Sequence, residues 1–298
     1  GLYCGAKIDF VDIDPSTGLI CTERLREKLE SAYVSGTLPK IVIPVHLAGT
    51  SCDMPKIYEL SRKYGFKVIE DASHAIGGSC NSYPVGSCRY SDITVFSFHP
   101  VKIITSAEGG IASTNNEELA EKMRCLRSHG IIKDSRLFRT PNQDQWCYEQ
   151  QYLGYNYRMC DILASLGLSQ LNRLNIFIKK RIEIIAKYQE SLSDLPLYLL
   201  ESPSNVVSSY HLAIIRLNNK SEAFHRYIFD SLRAKNIGVQ VHYTPVHLQP
   251  YFRDLGFLNG DFPEAEKYSK NAISLPIYPS LSSEDFDRIV EQLNILIG

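Results

Sequence analysis

No charge of one sign predominates in this chain: 32 Lys and Arg stand against 33 Asp and Glu over 298 residues. No global field therefore draws it to nucleic acid or to an anionic membrane, and any anion site must be local. No apolar run approaches the roughly 20 residues that span a bilayer. The start of the chain has none of the basic, apolar and small-residue segments of a signal peptide, so the expected location is the cytoplasm. The eight cysteines (Cys4, Cys21, Cys52, Cys80, Cys88, Cys125, Cys147, Cys160) include no C-x-x-C pair and no Cys/His cluster at zinc spacing, which leaves no metal signature. They read as free thiols in a reducing compartment, because a chain of this length has core enough without a disulfide framework. A Gly-x-Gly-x-x-Gly fingerprint is also absent, which counts against a generic dinucleotide-binding domain. Internal repeats and low-complexity tracts are lacking as well.

What is present is an apolar content of 44%, sufficient for one large core and a smaller second one. From residue 7 to about 130, short apolar runs alternate with amphipathic stretches, the signature of βα units around a mostly parallel sheet. Strands are expected over 8–12, 41–45, 67–70, 93–96 and 110–113. Helices are expected over 22–33, opened by a Thr22 cap, and over 53–64, capped by Asp53. Residues 161–193 carry one long helical pattern whose apolar face includes Leu163, Leu166, Leu168, Leu171, Leu174 and Ile178. Beyond residue 205 the pattern gives a strand at 210–217, a helix at 221–234, a strand at 239–242 and a closing helix at 283–297. The expected organisation is a large α/β domain over 1–160, a connecting helix over 161–200 and a small α+β domain over 201–298. The polar, Gln-rich stretch 134–151 reads as a loop.

Parallel sheets place functional loops at the carboxyl ends of their strands. That rule points to Asp71, in Lys67-Val68-Ile69-Glu70-Asp71-Ala72-Ser73-His74-Ala75, and to Ser97–Lys102, in Ser97-Phe98-His99-Pro100-Val101-Lys102. Taken singly, Asp71 reads equally as a helix cap and Lys102 as a solvated charge. The combination is more specific. An acid at one strand tip and a lysine beyond the next expected strand can face each other, and Ser97 with Gly109 and Gly110 offers phosphate contacts. Pyridoxal 5'-phosphate (PLP) requires such a set: a carboxylate for its pyridine nitrogen, a lysine amine for its aldehyde, and hydroxyl and backbone N–H donors for its phosphate.

The strings E-D-A-S-H-A at 70–75, S-F-H-P-V-K at 97–102, A-E-G-G at 107–110, R-S-H-G at 127–130 and G-Y-N-Y-R-M at 154–159 together resemble the DegT/DnrJ/StrS family of sugar aminotransferases, in order and in spacing, over essentially the whole chain. V-H-Y-T-P-V-H at 241–247 and A-I-S-L-P-I-Y at 272–278 are similar, within that family, to transaminases of pseudaminic acid biosynthesis. The resemblance implies a PLP-dependent transferase fold of the aspartate aminotransferase type with a smaller α+β C-terminal domain. It implies Lys102 as the lysine that bonds the cofactor and shuttles the proton, Asp71 against the pyridine nitrogen, His74 by the phenolic oxygen, and Ser97 on the phosphate. Ser73, two residues after Asp71 and on the same side of an extended segment, is expected on the ring face. Asn156 would reach the phosphate of a cofactor held by a neighbouring subunit, which makes the active unit a homodimer with shared sites.

His99, Arg158, His242, Tyr243 and His247 are the candidates for the substrate pocket. His242 and His247 read equally well as surface or interdomain histidines, Arg158 as a member of an ordinary ion pair, and His46 as the end of a strand. The implied reaction is ping-pong, from L-glutamate to a nucleotide-linked keto sugar, at C4 of a UDP-4-keto-6-deoxy-N-acetylhexosamine. The opening at Gly1 reads as a start partway through a domain. The family's N-terminal Gly-Thr/Ser turn and ring-stacking aromatic are not seen before the first expected strand, so an N-terminally shortened member is expected. Two other readings stand beside this one. One is a PLP-dependent sugar dehydratase, in whose relatives a histidine replaces the lysine that this chain keeps. The other is an inactive homologue that retains the fold for dimerisation or sensing.

Overall fold

The structure, a computed structural model, describes residues 1–218 and 221–298. The first half contains α1 (Thr22–Ser35), β1 (Ile41–Val42), α2 (Met54–Tyr64), β2 (Lys67–Asp71), β3 (Ser79–Cys80), β4 (Tyr83–Pro84), β5 (Ile93–Ser97), β6 (Gly110–Ser113), α3 (Glu117–Arg127), β7 (Ile131–Ile132) and β8 (Glu149–Gln150). The second contains α4 (Asp161–Leu171), α5 (Leu174–Ser191), β9 (Leu197–Leu199), β10 (Val206–Val207), β11 (Ala213–Leu217), α6 (Glu222–Ala234), α7 (Pro250–Asp254), α8 (Pro263–Ser269), β12 (Ala272–Leu275) and α9 (Ser283–Ile297).

The principal sheet runs β1-β2-β5-β6. β1 and β5 both lie parallel to β2, and β6 closes the edge antiparallel to β5. Alternation along the strands decides what each face does. Val68 is buried with Leu25 and Leu29 of α1 and Met54 and Ile57 of α2, so this face takes the two amphipathic helices. Asp53 caps α2 by accepting from Lys56 N at 3.3 Å. Cys21, not Thr22, is the cap residue of α1 and makes no side-chain bond.

Glu70 lies on the covered face, and its carboxylate is fully used. It binds His46 Nε2 at 2.7 Å, accepts from Thr94 Oγ1 at 2.9 Å and accepts from the Ser91 hydroxyl. Burial alone would raise this carboxyl, but its bonds to His46, Ser91 and Thr94 hold it below the ordinary range. His46 therefore does more than end a strand: it is fully buried and anchors β2 from below.

A second, antiparallel sheet runs β12-β11-β9. Every residue of β11 is buried, because helices pack over it: Tyr188 of α5, Ile228 and Leu232 of α6, and Ile289 and Leu293 of α9 share a core with Ile215 and Ile273. Buried Arg216 of β11 ties this sheet to the N-terminal segment by donating to Pro15 O, and it also donates to Asn271 Oδ1 at 2.8 Å.

Besides the Thr22 cap, the expected strands 41–45 and 210–217 shorten to Ile41–Val42 and Ala213–Leu217, and three expectations differ more widely. Residues 8–12 form no strand; beside them there is only a single bridge, Ile13 to Ile20. Phe10 instead packs its ring on Phe252, Phe257 and Phe262 at 5.0 to 5.9 Å. Residues 239–242 also form no strand and keep one bridge, Gln240 to Ser274. The 161–193 pattern is two helices, α4 and α5, and α4 buries none of its residues: Ile162, Leu166, Leu168 and Leu171 face outward in the single chain.

Asp12 explains part of the first difference. Its carboxylate accepts from Glu264 N at 3.0 Å and Ala265 N at 2.9 Å, at the start of α8. A side chain 250 residues upstream thus supplies the cap that α8 lacks locally, and the segment is shaped for that contact rather than for sheet pairing. Asp12→Ala is expected to cost about 1–2 kcal/mol, the usual range for a lost helix cap, and Asp12→Asn less. Chemical denaturation of the two variants tests this, and equal midpoints for parent and Ala variant would sink it.

Candidate active site

Asp71 is the last residue of β2 and Ser97 the last of β5. In parallel register Asp71 pairs with Val95, so both side chains point to the face opposite Glu70. Ser97, two residues on, points the same way. The adjacent acids of the 70–71 pair are thereby separated by the pleat: Glu70 goes to the helices, Asp71 to the open face. Asp71 Oδ1 accepts from Ser73 N at 3.1 Å, which turns the chain sharply after the strand.

Lys102 sits on a loop closed upon itself. Lys102 N donates to His99 O at 3.0 Å, Ser106 N and Thr105 Oγ1 both donate to Phe98 O, and Phe98 N donates to Gly109 O at 2.9 Å. The next two residues, Ile103 and Ile104, are buried against Ile178 of α5 with Ile76 and Phe98. Apolar anchors thus hold the lysine from one side and leave its amine half-buried. Burial lowers its pKa, and the Asp71 carboxylate partly offsets that effect.

The paired glycines after this loop serve the fold. A Cβ on Gly110 would lie 2.5 Å from Phe96 O, and one on Gly109, at φ 148°, would lie 2.4 Å from Met159 Cε. Close approach of the backbone and the positive φ of Gly109 favour glycine at both positions.

Four residues from distant parts of the chain converge here. His74 is buried and shares a hydrogen bond with Tyr243 Oη through Nε2 at 3.3 Å. His211 lies with its ring centroid 4.4 Å from that of His74. His242 bonds Ser274 Oγ through Nδ1 at 2.8 Å. Burial, then the Lys102 charge, hold His74 at about 4 despite Asp71, with His242 adding to the fall. Burial, followed by His74 and Lys102, holds His211 at about 2. His242 is lowered by burial and by Lys102, and Tyr243 is raised by burial and by Asp71. The result is a group of neutral rings beside one amine and one carboxylate.

The other expected site residues are placed differently. Ser73 is half-buried in the turn after Asp71. His99 is exposed and joins the lysine loop only through its backbone. Asn156 and Arg158 are exposed on the segment that bridges Ser128 to Asn156, between the stacked and exposed rings of Tyr155 and Tyr157 in the case of Asn156. His247 does not join the group: it is buried, bonded through Nε2 to Glu266 Oε1 at 2.9 Å, and its ring meets Phe262 edge-on. Two residues at the site carry no sequence signal. His211 stands alone before a strand, and buried Arg181 donates to the carbonyls of Tyr210, His211 and Ile277 from the middle of a helix.

The residues present fit PLP. His74 Nδ1 and His211 Nδ1 are buried with no partner among the described residues, and a buried polar atom left so is costly unless a ligand or water completes it. A carboxylate at a strand tip, an amine made easier to deprotonate by burial and a hydroxyl on the next strand supply the three kinds of contact that this cofactor needs. Fold and site together define a PLP-dependent transferase.

Comparison with known proteins sharpens that class. The profile of the DegT/DnrJ/EryC1/StrS aminotransferase family matches residues 2–294, and the chain belongs to this family. The spore coat polysaccharide biosynthesis protein SpsC of Bacillus subtilis is 36% identical over 300 aligned residues, 99% of this chain and 75% of SpsC. Helicobacter pylori PseC, an aminotransferase involved in the biosynthesis of pseudoaminic acid, superposes with a TM-score of 0.88 at 30% identity over 99% of this chain and 75% of PseC. The sugar aminotransferase Spr1654 of Streptococcus pneumoniae, in its PLP form, gives 0.86 at 29% identity over 99% of this chain and 76% of its own, and it is also solved in a PMP form. PLP is the cofactor of this family of sugar aminotransferases. No helix among the described residues is long and apolar enough to cross a membrane.

Proposed function

We propose that this chain moves an amino group from L-glutamate to a nucleotide-linked keto sugar, at C4 of a UDP-4-keto-6-deoxy-N-acetylhexosamine, in the cytoplasm and as a homodimer with shared sites. One observation carries the chemical part: β2 and β5 present Asp71 and Ser97 on one face of the sheet, and the loop that follows β5, anchored by Ile103 and Ile104, holds a half-buried Lys102 whose pKa burial lowers and Asp71 raises. The likeness to PseC over nearly the whole chain supports the choice of sugar. The outward apolar face of α4 supports pairing with a second copy, since large exposed apolar areas mark interaction surfaces.

PLP supplies an electron sink for the charge left when a carbon loses its proton. Asp71 would keep the pyridine nitrogen protonated, Ser97 would donate to the phosphate, and Asn156 would reach the phosphate of a cofactor held by the neighbouring subunit. Ser73 would lie along the ring face. His74, neutral above about pH 4, donates to the phenolic oxygen without adding a charge. Lys102 Nζ, neutral once freed, takes the proton from the α-carbon of glutamate and returns one to the sugar carbon that receives the amine. Burial favours that neutral form, because a charged amine loses hydration in a dry site. His242 and Tyr243 would face the sugar, and Arg158 and His99, both exposed, would meet it from the solvent side.

The test is incubation with L-glutamate and a panel of nucleotide keto sugars. The UDP-linked N-acetyl sugar is expected to be aminated faster than the others by about tenfold or more, the scale on which one pocket contact discriminates. Faster amination of another sugar would overturn the substrate assignment. Loss of water from the sugar without amination would favour the dehydratase reading.

A further inference from the structure

We propose that His211 is a positioning residue for His74: its backbone segment is clamped by Arg181 and by the 48–50 turn, and the ring so placed backs the His74 ring and fixes the direction of the His74 nitrogens. The inference rests on the reading of His74 given above. It starts from how the 208–211 segment is held. Ser209 N donates to Gly49 O at 3.0 Å and Leu212 N to Ala48 O at 3.3 Å. Thr50 Oγ1 donates to Ser208 Oγ at 2.9 Å, and that same oxygen accepts from Tyr210 N at 3.1 Å. Arg181 grips the carbonyls of Tyr210 and His211 at 3.1 and 3.2 Å.

The approach is so close that a Cβ on Gly49 would lie 2.6 Å from Ser209 Oγ and 2.8 Å from Tyr210 N. Ala48 and Tyr210 both adopt left-handed backbone, at φ 58° and 48°, a conformation that residues other than glycine keep only where their surroundings impose it. The same clamp reaches His74 directly, because Ser209 Oγ donates to His74 O at 3.0 Å. One short segment thus fixes the His74 backbone and carries the ring that backs its side chain.

That backing has consequences for charge. The titratable or charged groups coupled to His74 are Lys102, Asp71 and His242, with Tyr243 hydrogen-bonded to it and His211 packed on it. Those coupled to His211 are His74, Lys102, Arg181 and His242. Cations therefore outnumber the single carboxylate, and His211 keeps water from the rear of the His74 ring. Without the His211 ring, water and rotamer freedom enter together.

The test is NMR titration of the imidazole nitrogens in the cofactor-free full chain, with His74 assigned by its loss in His74→Gln. In the parent, His74 is expected to stay unprotonated down to about pH 4. His211→Ala, and the milder His211→Asn, are expected to raise that midpoint by ~1 unit or more toward the solvated value. They are also expected to shift the absorbance of bound PLP. His211→Phe, which keeps the packing and lacks the nitrogens, is expected to leave the midpoint within ~0.5 unit. A midpoint unchanged in both the Asn and Ala variants would overturn the proposal, and so would a rise in the Phe variant equal to that in the Ala variant. If His74→Gln leaves PLP affinity and absorbance untouched, the assignment of His74 to the cofactor fails, while the coupling measured without cofactor stands or falls separately.

Discussion

Lys102→Ala is expected to abolish the visible absorbance of covalently held PLP and to lower amino transfer by ~10⁴-fold, the upper end for loss of a proton-transfer group. The fold should survive, because the loop is held by Ile103 and Ile104 in their apolar cluster rather than by the amine. An absorbance spectrum with added PLP, its bleaching by L-glutamate and a single-turnover rate read the effect together. Transfer within about tenfold of the parent, which corresponds to only ~1.4 kcal/mol of barrier, would remove Lys102 from the chemistry.

The second large effect is expected at Asp71. Asp71→Asn keeps the shape of the strand tip but leaves a pyridinium or an ammonium without its counter-charge. Breaking a buried pair from one side costs about 3–5 kcal/mol, or roughly 10²–10⁴ in rate or affinity, and the half-buried position of Asp71 puts the expected loss at the lower end, about 10². The sign of the accompanying pH shift follows from the same carboxylate. Asp71 raises the pKa of Lys102 against burial, so its removal lets the amine lose its proton at lower pH. The limb of the pH–rate profile that reports this deprotonation should move toward acid. Asp71 also raises His74, so His74 stays neutral and does not confuse the profile. An unchanged rate, or a limb moved toward alkali, would count against the assignment.

That Asp71 stands at a strand tip and Lys102 on the loop after the next strand was legible in the sequence, for local reasons. β2 and β5 are short apolar runs with sharp ends, so their tips were readable as the positions where side chains leave the sheet. The start of α2 was similarly readable from its cap, Asp53. Strand-like composition yields no strand where the segment finds no neighbour. Residues 8–12 have alternating apolar residues, but Phe10 is taken up by an aromatic cluster and Asp12 by a distant helix start. The long helical pattern at 161–193 hid a break, because the apolar positions continue in register across Asn172 and Arg173 while the backbone bonds do not.

His247 and Tyr243 show the limit most clearly. They stand four residues apart in one string, yet the first pairs with Glu266 in the core and the second with His74 at the site. Nothing in their spacing separates those fates. Nor does anything local mark His211 or Arg181, which matter only because a turn at 48–50, a loop at 208–211 and a helix at 174–191 meet.

By itself the sequence determined the βα alternation, the strand-tip positions of Asp71 and Ser97 and the loop of Lys102, because periodicity and turn chemistry act over a few residues. Only the tertiary structure decided which of the acids at 70 and 71 faces the helices and which imidazoles face the lysine. Those choices depend on sheet register and on contacts between residues more than 100 positions apart, such as His74 with His211, which no local pattern encodes.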